Sequence, residues 1–295
     1  EPPAAVMVMR ATLRQYSHNF SDALADLDRA LQINPADIDA LSLRADINLV
    51  TGDYAASRRD CERMAPFVTV LTDAGCRTFI DGMTGRARQS HDMLQSLLAR
   101  SKNVDPDQRL WILTRLAEMA WRLNDAALAE QHFRSALALG LADGFLLAAY
   151  ADFLLDYNRP KEVLALLKDW TRADPLLLRL TLAEQMTGAN TFREHQAALA
   201  ARYAAARMRG DTTHEQEESR FALVVMQQPD EALRLAVSNW RLQREPRDAR
   251  AVLEAAIAAK KPEAAKPVLD WMQQTGIEDW YLRKLAATLA GGGTK

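Results

Sequence analysis

One arrangement of small, aromatic and proline positions returns along the chain about every 34 residues. Its clearest copy covers residues 38–64, IDALSLRADINLVTGDYAASRRDCERM, and follows the Asn34-Pro35 pair that closes the copy before it. Small residues are needed where helices cross closely, and large residues fill the gaps beside them. Because one helical hairpin cannot bury its apolar face until a neighbour stacks on it, this repeat predicts a helical solenoid.

The same residue classes recur at helical spacings around a Gly-Asp turn. In the clearest copy the recurring positions are Leu41, Ala45, Gly52, Tyr54, Ser57, Cys61 and Met64. This pattern resembles the tetratricopeptide repeat (TPR), whose two helices, A and B, carry such small and large residues and whose copies close on a proline. The preceding copy fits the family pattern with Phe20, Ala23, Leu27, Ala30 and Pro35. The resemblance implies stacked hairpins in a right-handed superhelix.

The copies are regular as far as Pro175 and drift beyond it. Residues 1–175 fit a regular array of about five hairpins. Residues 176–290 fit less regular hairpins and a C-terminal capping helix, continuous with the first part, and residues 291–295 fit a flexible tail. No stretch alternates apolar and polar residues over the length of a strand. We therefore expect an all-α, right-handed superhelical solenoid of about seventeen helices.

The overall charge does not favour nucleic acid or an anionic membrane as a partner, since the formal net charge is −2. Arginine clusters such as Arg58-Arg59 have acidic neighbours and no interleaved aromatic residues, which favours a solvated surface. The most apolar region, residues 137–155, is interrupted by Asp143 and Asp152, so no membrane insertion is expected. A chain starting at Glu1 fits a processed mature protein or a cloning boundary.

The sequence lacks a recognisable catalytic motif. Its five histidines are scattered over five hairpins, and the acidic run after His214 has Glu218 where a zinc-protease helix needs a second histidine. These acids instead suit the positively polarised start of a helix. No Gly-x-Ser-x-Gly elbow or phosphate-cradling glycine loop is present. We expect a protein that is not an enzyme and uses no cofactor or metal.

Cys61 and Cys76 are the only two cysteines. If their helices fold back on each other about the connection near Pro66, the two residues come to similar heights, which allows a disulfide. Two small core residues would explain them about equally well. The resemblance to exported bacterial repeat proteins favours the disulfide, which implies an oxidising compartment. We expect the periplasm, with the cytoplasm as the alternative.

The TPR resemblance also implies where a partner binds, because the A helices of that family line a concave groove that holds peptides or helices. Carried over position by position, the candidate groove residues are Asp46, Leu49, Phe79, Trp111, Glu118, Trp121, Phe145, Asp152 and Asp156. Trp111 lies on a charged helical stripe, either as an anchor for a partner or half-buried against the next hairpin. Asp46 stands where chaperone adaptors of the family carry a clamp asparagine, which disfavours that role.

These observations favour a non-enzymatic scaffold or adaptor that binds a protein or peptide through its concave groove, in a bacterial envelope assembly. The acidic groove residues would give this face negative character and suit a segment with basic and hydrophobic side chains. Two alternatives stay open: a periplasmic protein that binds a small ligand or carbohydrate, or a helical support domain for a catalytic partner. An open polar channel favours the peptide, whereas a closed aromatic pocket favours the small ligand.

Overall fold

The computed structural model describes residues 2–291, and in that range the chain forms seventeen α-helices and no β-strand. The first nine helices are α1 (Ala4–Tyr16), α2 (Phe20–Ile33), α3 (Ile38–Thr51), α4 (Tyr54–Met64), α5 (Val70–Met83), α6 (Ala87–Arg100), α7 (Pro106–Arg122), α8 (Ala126–Leu137) and α9 (Gly144–Asp156). The other eight are α10 (Pro160–Leu167), α11 (Asp174–Thr187), α12 (Phe192–Met208), α13 (Glu215–Arg220), α14 (Pro229–Trp240), α15 (Pro246–Ala258), α16 (Lys266–Thr275) and α17 (Trp280–Gly291). The predicted all-α fold is confirmed.

Short polar side chains begin many of these helices. Asn19, Asp37, Asp53, Asp125 and Asp143 each accept a hydrogen bond from the backbone N–H three residues ahead, at the start of α2, α3, α4, α8 and α9. Such caps satisfy N–H groups that have no partner within the helix, and each stabilises its helix by about 1 kcal/mol. The repeated turn residues therefore fix where each hairpin starts its second helix.

The helices pair in chain order into eight hairpins, α1 with α2 through α15 with α16, and α17 follows as a single helix. This arrangement is a helical-repeat solenoid. Irregularity beyond residue 175 is local: α13 continues as a π-helical turn, Phe221–Val225, and a 3-10 turn, Pro262–Ala265, precedes α16. Gly291 ends α17, whereas Glu1 and the remaining predicted tail, residues 292–295, lie outside the described residues.

Three clusters of buried apolar residues form the core. The N-terminal cluster joins α1 to α4, and the central cluster runs from α5 to α12 and includes Leu167 and Leu176, so it crosses residue 175 without a break. The third, here called the closing cluster, packs Leu49 and Ile80 from the second and third hairpins against α14 to α17. The second and third hairpins therefore share one core with the C-terminal helices, although many residues separate them in sequence.

Hydrogen bonds cross this junction. The backbone N–H of Arg244 donates to the carbonyl of Val50 at 2.7 Å. The Trp271 indole N–H donates to the Tyr54 hydroxyl at 2.9 Å; Trp271 is buried and Tyr54 is partly buried. Buried Tyr and Trp side chains usually need such partners for their polar atoms. The C-terminal hairpins are thus fastened to the second hairpin by specific polar contacts as well as by apolar packing.

A second line of contact joins the turn after α5 to the end of α16. A β-carbon on Gly85 would lie 3.0 Å from the carbonyl oxygen of Gly276, so the two backbones touch. Nearby, the Glu278 carboxylate accepts the backbone N–H groups of Ala87 and Arg88 at the start of α6. The solenoid consequently closes on itself, and its concave face is enclosed. Of the two forms that the sequence left open, an open polar channel and a closed pocket, the concave face has the closed form.

Candidate functional site

One cavity lies at the centre of the closed solenoid, and every odd-numbered helix from α5 to α17 contributes to its wall. We call this cavity the lumen; its volume is about 140 Å³. Six of the nine candidate groove residues line it: Phe79, Glu118, Trp121, Phe145, Asp152 and Asp156. The family pattern of A helices on the concave side therefore places most of these side chains together, around a lumen instead of along a groove.

Aromatic side chains of three successive A helices surround one arginine. The Arg115 guanidinium lies 4.0 Å from the ring centre of Phe79, 4.8 Å from that of Phe145 and 6.0 Å from that of Trp111. Such cation–π contacts stabilise by about 0.5–2 kcal/mol each, more when solvent is excluded. The aromatic residues predicted to contact a partner therefore already contact a cation of the protein itself, Arg115.

Trp111 does not line the lumen, and its ring packs on the preceding A helix. A β-carbon on Gly75 would lie 2.7 Å from the Trp111 ring, so only glycine leaves room for the indole there. The Trp111 side chain stays 36% exposed. Trp121 does face the lumen, partly buried, with its ring edge-on to Phe153 at 5.9 Å. Of the two tryptophans, Trp121 is the one that an occupant of the lumen can reach.

Three of the four acidic candidate residues, Glu118, Asp152 and Asp156, are paired with arginines and so do not form a negative surface. Asp152 receives Arg179 at 2.8 Å and a second guanidinium from Arg220. Burial alone would raise the pKa of Asp152, but the two arginines outweigh burial and hold it well below its usual value. Glu118 pairs with Arg115 at 2.9 Å. The expectation of a negatively charged concave face is therefore wrong.

Asp156 is held in the same way by the C-terminal part of the chain. Arg250 donates two hydrogen bonds to its carboxylate, at 2.7 and 2.8 Å, and a third to Glu254 at 2.8 Å. The same guanidinium lies 4.2 Å from the ring centre of Tyr281, whose hydroxyl donates to Glu254 at 3.0 Å. Burial raises the pKa of Tyr281 to about 12. This network ties α9, α15 and α17 together across the lumen.

The two candidate residues in α3, Leu49 and Asp46, lie in different environments. Leu49 is 3% exposed and belongs to the closing cluster, so it is a core residue and the expectation that it lines a groove is wrong. The C-terminal hairpins cover it. Asp46 is accessible and forms no hydrogen bond or ion pair with any residue from 2 to 291. Desolvation by the surrounding protein raises its pKa to about 6, with Glu245 adding to the effect and Arg115 opposing it.

Arg122 is the lumen residue with the least usual environment, and it was not among the candidates. Its side chain is at the end of α7 and 9% exposed. One guanidinium nitrogen donates to the carbonyl of Gly82 at 3.2 Å and to the Met83 sulfur at 3.3 Å. No carboxylate within residues 2–291 forms an ion pair with it. Burial lowers its pKa, against the attraction of Asp279 and Glu118.

Four further lumen residues that sequence reasoning missed are arginines of the C-terminal half: Arg179, Arg220, Arg247 and Arg250. Arg247 pairs with Glu245 at 2.6 Å and lies 5.7 Å from the Phe145 ring centre. The excess of arginine over lysine was a signal of bidentate, stacked contacts, since arginine is the cation suited to buried pairing. Sequence spacing alone does not reveal partners that far apart in the chain.

Cys61 and Cys76 are joined by a disulfide in the structure, with their α-carbons 5.9 Å apart. The bond links α4 to α5, as the antiparallel arrangement of those helices allows. Cys61 is fully buried in the closing cluster, and Cys76 packs against that cluster and the N-terminal one. The disulfide therefore lies where the N-terminal hairpins meet the C-terminal ones.

A second, more open cavity of about 460 Å³ adjoins the lumen. Its wall is mostly apolar, with residues such as Leu182, Met186 and Leu285, and it shares Arg220 and Arg250 with the lumen. Across residues 2–291 there is no cluster of three or more histidine, cysteine or acidic side chains placed to hold a metal ion. Over the same residues, no helix combines the length and hydropathy needed to span a bilayer.

Comparison with known proteins finds similarity among solved structures. No family model matches the chain, and no curated protein matches it either. Among solved structures the chain is similar to the TPR domain of P58(IPK), with 14% sequence identity, a TM-score of 0.33 and 99% of each chain covered. The helices and the lumen themselves define the class of protein: an all-helical repeat solenoid closed around a central cavity.

Proposed function

We propose that this chain is a non-enzymatic scaffold that binds a segment of a partner protein at the lumen. The observation that carries the proposal is the set of partly buried aromatic rings that three successive A helices present to one cavity, Phe79, Trp121 and Phe145. Aromatic residues and arginine are the side chains most enriched where proteins bind each other. Rings that keep some exposed surface can bury it against an incoming side chain.

The size of the lumen limits what a partner can insert. A cavity of about 150 Å³ holds one benzene ring in a well-characterised case, and the lumen measures about 140 Å³. The partner would therefore insert one side chain or chain end, and the remainder of its segment would lie over the mouth. Because arginines already pair with the acidic wall residues, charge complementarity to a basic segment does not support the proposal.

The sharpest test compares two tryptophans that pack on the same core cluster. Both Trp121 and Trp170 are partly buried against the central cluster, but only Trp121 lines the lumen. Peptides selected from a random display library on the wild-type protein should bind the Trp121→Ala variant more weakly by about 2 kcal/mol, roughly 30-fold. The Trp170→Ala variant should bind them as the wild type does. Circular dichroism checks that both variants are folded.

Two outcomes would contradict the scaffold proposal. The first is a library that yields no peptide with saturable binding. The second is equal loss of binding in the Trp121 and Trp170 variants, since that would reflect loss of folding energy and not a contact in the lumen. If the peptides compete with one another but bind both variants as tightly as the wild type, the binding site lies on another surface.

The finer part of the proposal is an oxidising compartment, and within it a bacterial envelope assembly in the periplasm. Its support is the disulfide between Cys61 and Cys76, because such bonds persist mainly outside reducing compartments. Peptide mapping without reductant, on protein recovered from its native cells after thiols are blocked at lysis, should give one linked Cys61–Cys76 peptide. If both cysteines are found alkylated, the proposal of an oxidising compartment is wrong, but the proposed scaffold function is unaffected.

The enclosure of the lumen favours a second candidate, a protein that binds a small molecule or carbohydrate. Ligand sites of that kind are concave, largely apolar and equipped with a few polar groups, and the lumen combines Trp121 and Phe145 with buried arginines. A screen of small molecules by thermal shift tests it. Ligands that stabilise the wild type and the Trp170→Ala variant, but not Trp121→Ala, would favour this candidate when no peptide binds.

A further inference from the structure

The Arg122 guanidinium lines the lumen without a carboxylate partner among residues 2–291. Arginine is rarely buried to this extent unless it is paired. Its two contacts are to a carbonyl and a thioether sulfur, both on α5 and both made by the same nitrogen. The other guanidinium nitrogens are left for a ligand that completes the pairing.

The charged groups around Arg122 are engaged elsewhere. Glu118 accepts from Arg115 at 2.9 Å, and Glu245 accepts from Arg247 at 2.6 Å. Asp279 accepts the backbone N–H groups of two residues at the start of α17, at 2.9 and 3.0 Å. These acids attract Arg122 through space, yet none is within ion-pair distance of it.

The rest of the lumen wall is suited to an apolar body. Trp121, Phe145, Leu223 and Leu282 come from four different helices and line the same cavity as the guanidinium. A volume of about 140 Å³ matches one six-membered ring. A planar carboxylate satisfies the fork of a guanidinium with two parallel hydrogen bonds, which a neutral amide cannot reproduce.

We propose that the lumen binds a compact apolar group carrying one carboxylate, with the carboxylate paired to Arg122 and the apolar body against Trp121 and Phe145. This inference rests on the lumen as the binding site of the proposed function and names the chemistry that it recognises. The group can come from a free aromatic or branched acid or from the C-terminal residue of a partner segment. These two sources present the same chemistry to Arg122.

Matched pairs of probes test the proposal in the full chain. Benzoate is compared with benzamide, and N-acetyl-phenylalanine with N-acetyl-phenylalaninamide, by calorimetry and by thermal shift. In each pair where the acid binds, it should bind at least tenfold more tightly than the amide. The Arg122→Gln variant should lose that preference, Arg122→Lys should keep part of it, and the exposed Arg241 serves as the control in Arg241→Gln.

The outcomes separate the two proposals. Preference for benzoate alone assigns the site to a free acid, and preference for N-acetyl-phenylalanine assigns it to a chain end. If the wild type binds acid and amide equally, or binds neither, the carboxylate site is overturned whatever the variants do. Library peptides that lose affinity in Trp121→Ala while binding equally as acids and as amides would leave the scaffold function intact and remove only the carboxylate site. If the acids bind with the expected preference but no library peptide binds, the carboxylate site stands and the scaffold function is removed.

Discussion

Gly85 and Gly276 lie backbone to backbone, with the α-carbon of Gly85 4.0 Å from where a β-carbon on Gly276 would stand. Both residues adopt positive φ, 83° and 64°, which glycine reaches without strain. Gly276 directly follows α16, and Gly85 lies two residues after the end of α5. The closure of the solenoid therefore depends on two turns that bring bare backbone together at the same point.

We expect Gly85→Ala to destabilise the protein more than Gly140→Ala does. Gly140 also has positive φ, 71°, but a β-carbon there would meet nothing within 4 Å. The left-handed conformation costs about 1–2 kcal/mol in either variant, and only Gly85→Ala adds the clash with the carbonyl of Gly276. Urea unfolding should show an extra loss of about 1 kcal/mol or more. Equal losses in the two variants would show that the closure contact is not a stabilising one.

The hairpins could be predicted from the sequence because their determinants are local. Capping residues such as Asp53 and Asp125, and the periodic small and large positions, act within one or two turns of a helix. The disulfide was one of two alternatives that the residues left open, and it could be considered because its two helices are joined by a short connection. Each of these features depends only on the structure of one hairpin and its neighbour.

Closure could not be predicted, because it depends on the sum of small rotations between successive hairpins. Leu49 fits the concave pattern of its own hairpin, yet helices from the far end of the chain bury it. Asp156 fits an exposed acidic position, yet Arg250 arrives from α15 to pair with it. The charge and exposure of the candidate residues depend on residues from distant helices, which cannot be identified from the sequence of one repeat.

Reducing the disulfide should lower the stability of the protein markedly. Cys61 and Cys76 close a loop of 15 residues, for which the loop-entropy model gives about 3 kcal/mol. Thermal unfolding with and without a phosphine reductant measures the change, and the Cys61→Ala/Cys76→Ala double variant controls for effects of the reductant elsewhere. Reductant should leave the melting temperature of the double variant unchanged. An unchanged melting temperature in the reduced wild type would contradict this expectation.

Mild acid should destabilise the core between α6 and α8. His91 and His132 face each other there with their Nε2 atoms 3.1 Å apart, and His132 is 5% exposed. Burial, helped by His91 and opposed by Asp125, lowers the pKa of His132 to about 4. The unfolded chain takes up the proton near pH 6.5 and the folded chain does not, so stability is complete above about pH 6.5 and falls as the pH drops toward 4.

At pH 5 the loss from His132 should reach at most about 2 kcal/mol relative to pH 7.5. Urea unfolding at half-unit pH steps measures it. The His132→Asn variant should show a flatter profile over this range, even if it is less stable throughout. A wild-type profile parallel to that of the variant would mean that His132 does not titrate as its buried position requires.

The unpaired carboxylate of Asp46 should have the opposite pH dependence. Its pKa in the folded protein, about 6, lies above the ordinary value. The folded state therefore favours the protonated form, whose contribution to stability is complete below about pH 4 and is lost as the pH rises through 6.

Asp46→Asn imitates the protonated form at every pH. At pH 8 this variant should melt at a higher temperature than the wild type, and at pH 4.5 most of the difference should be gone. Asp169→Asn, at an exposed position away from the lumen, should show no such trend. If Asp46→Asn melts at or below the wild-type temperature at pH 8, the charged form of Asp46 does not destabilise the folded protein, and this expectation is wrong.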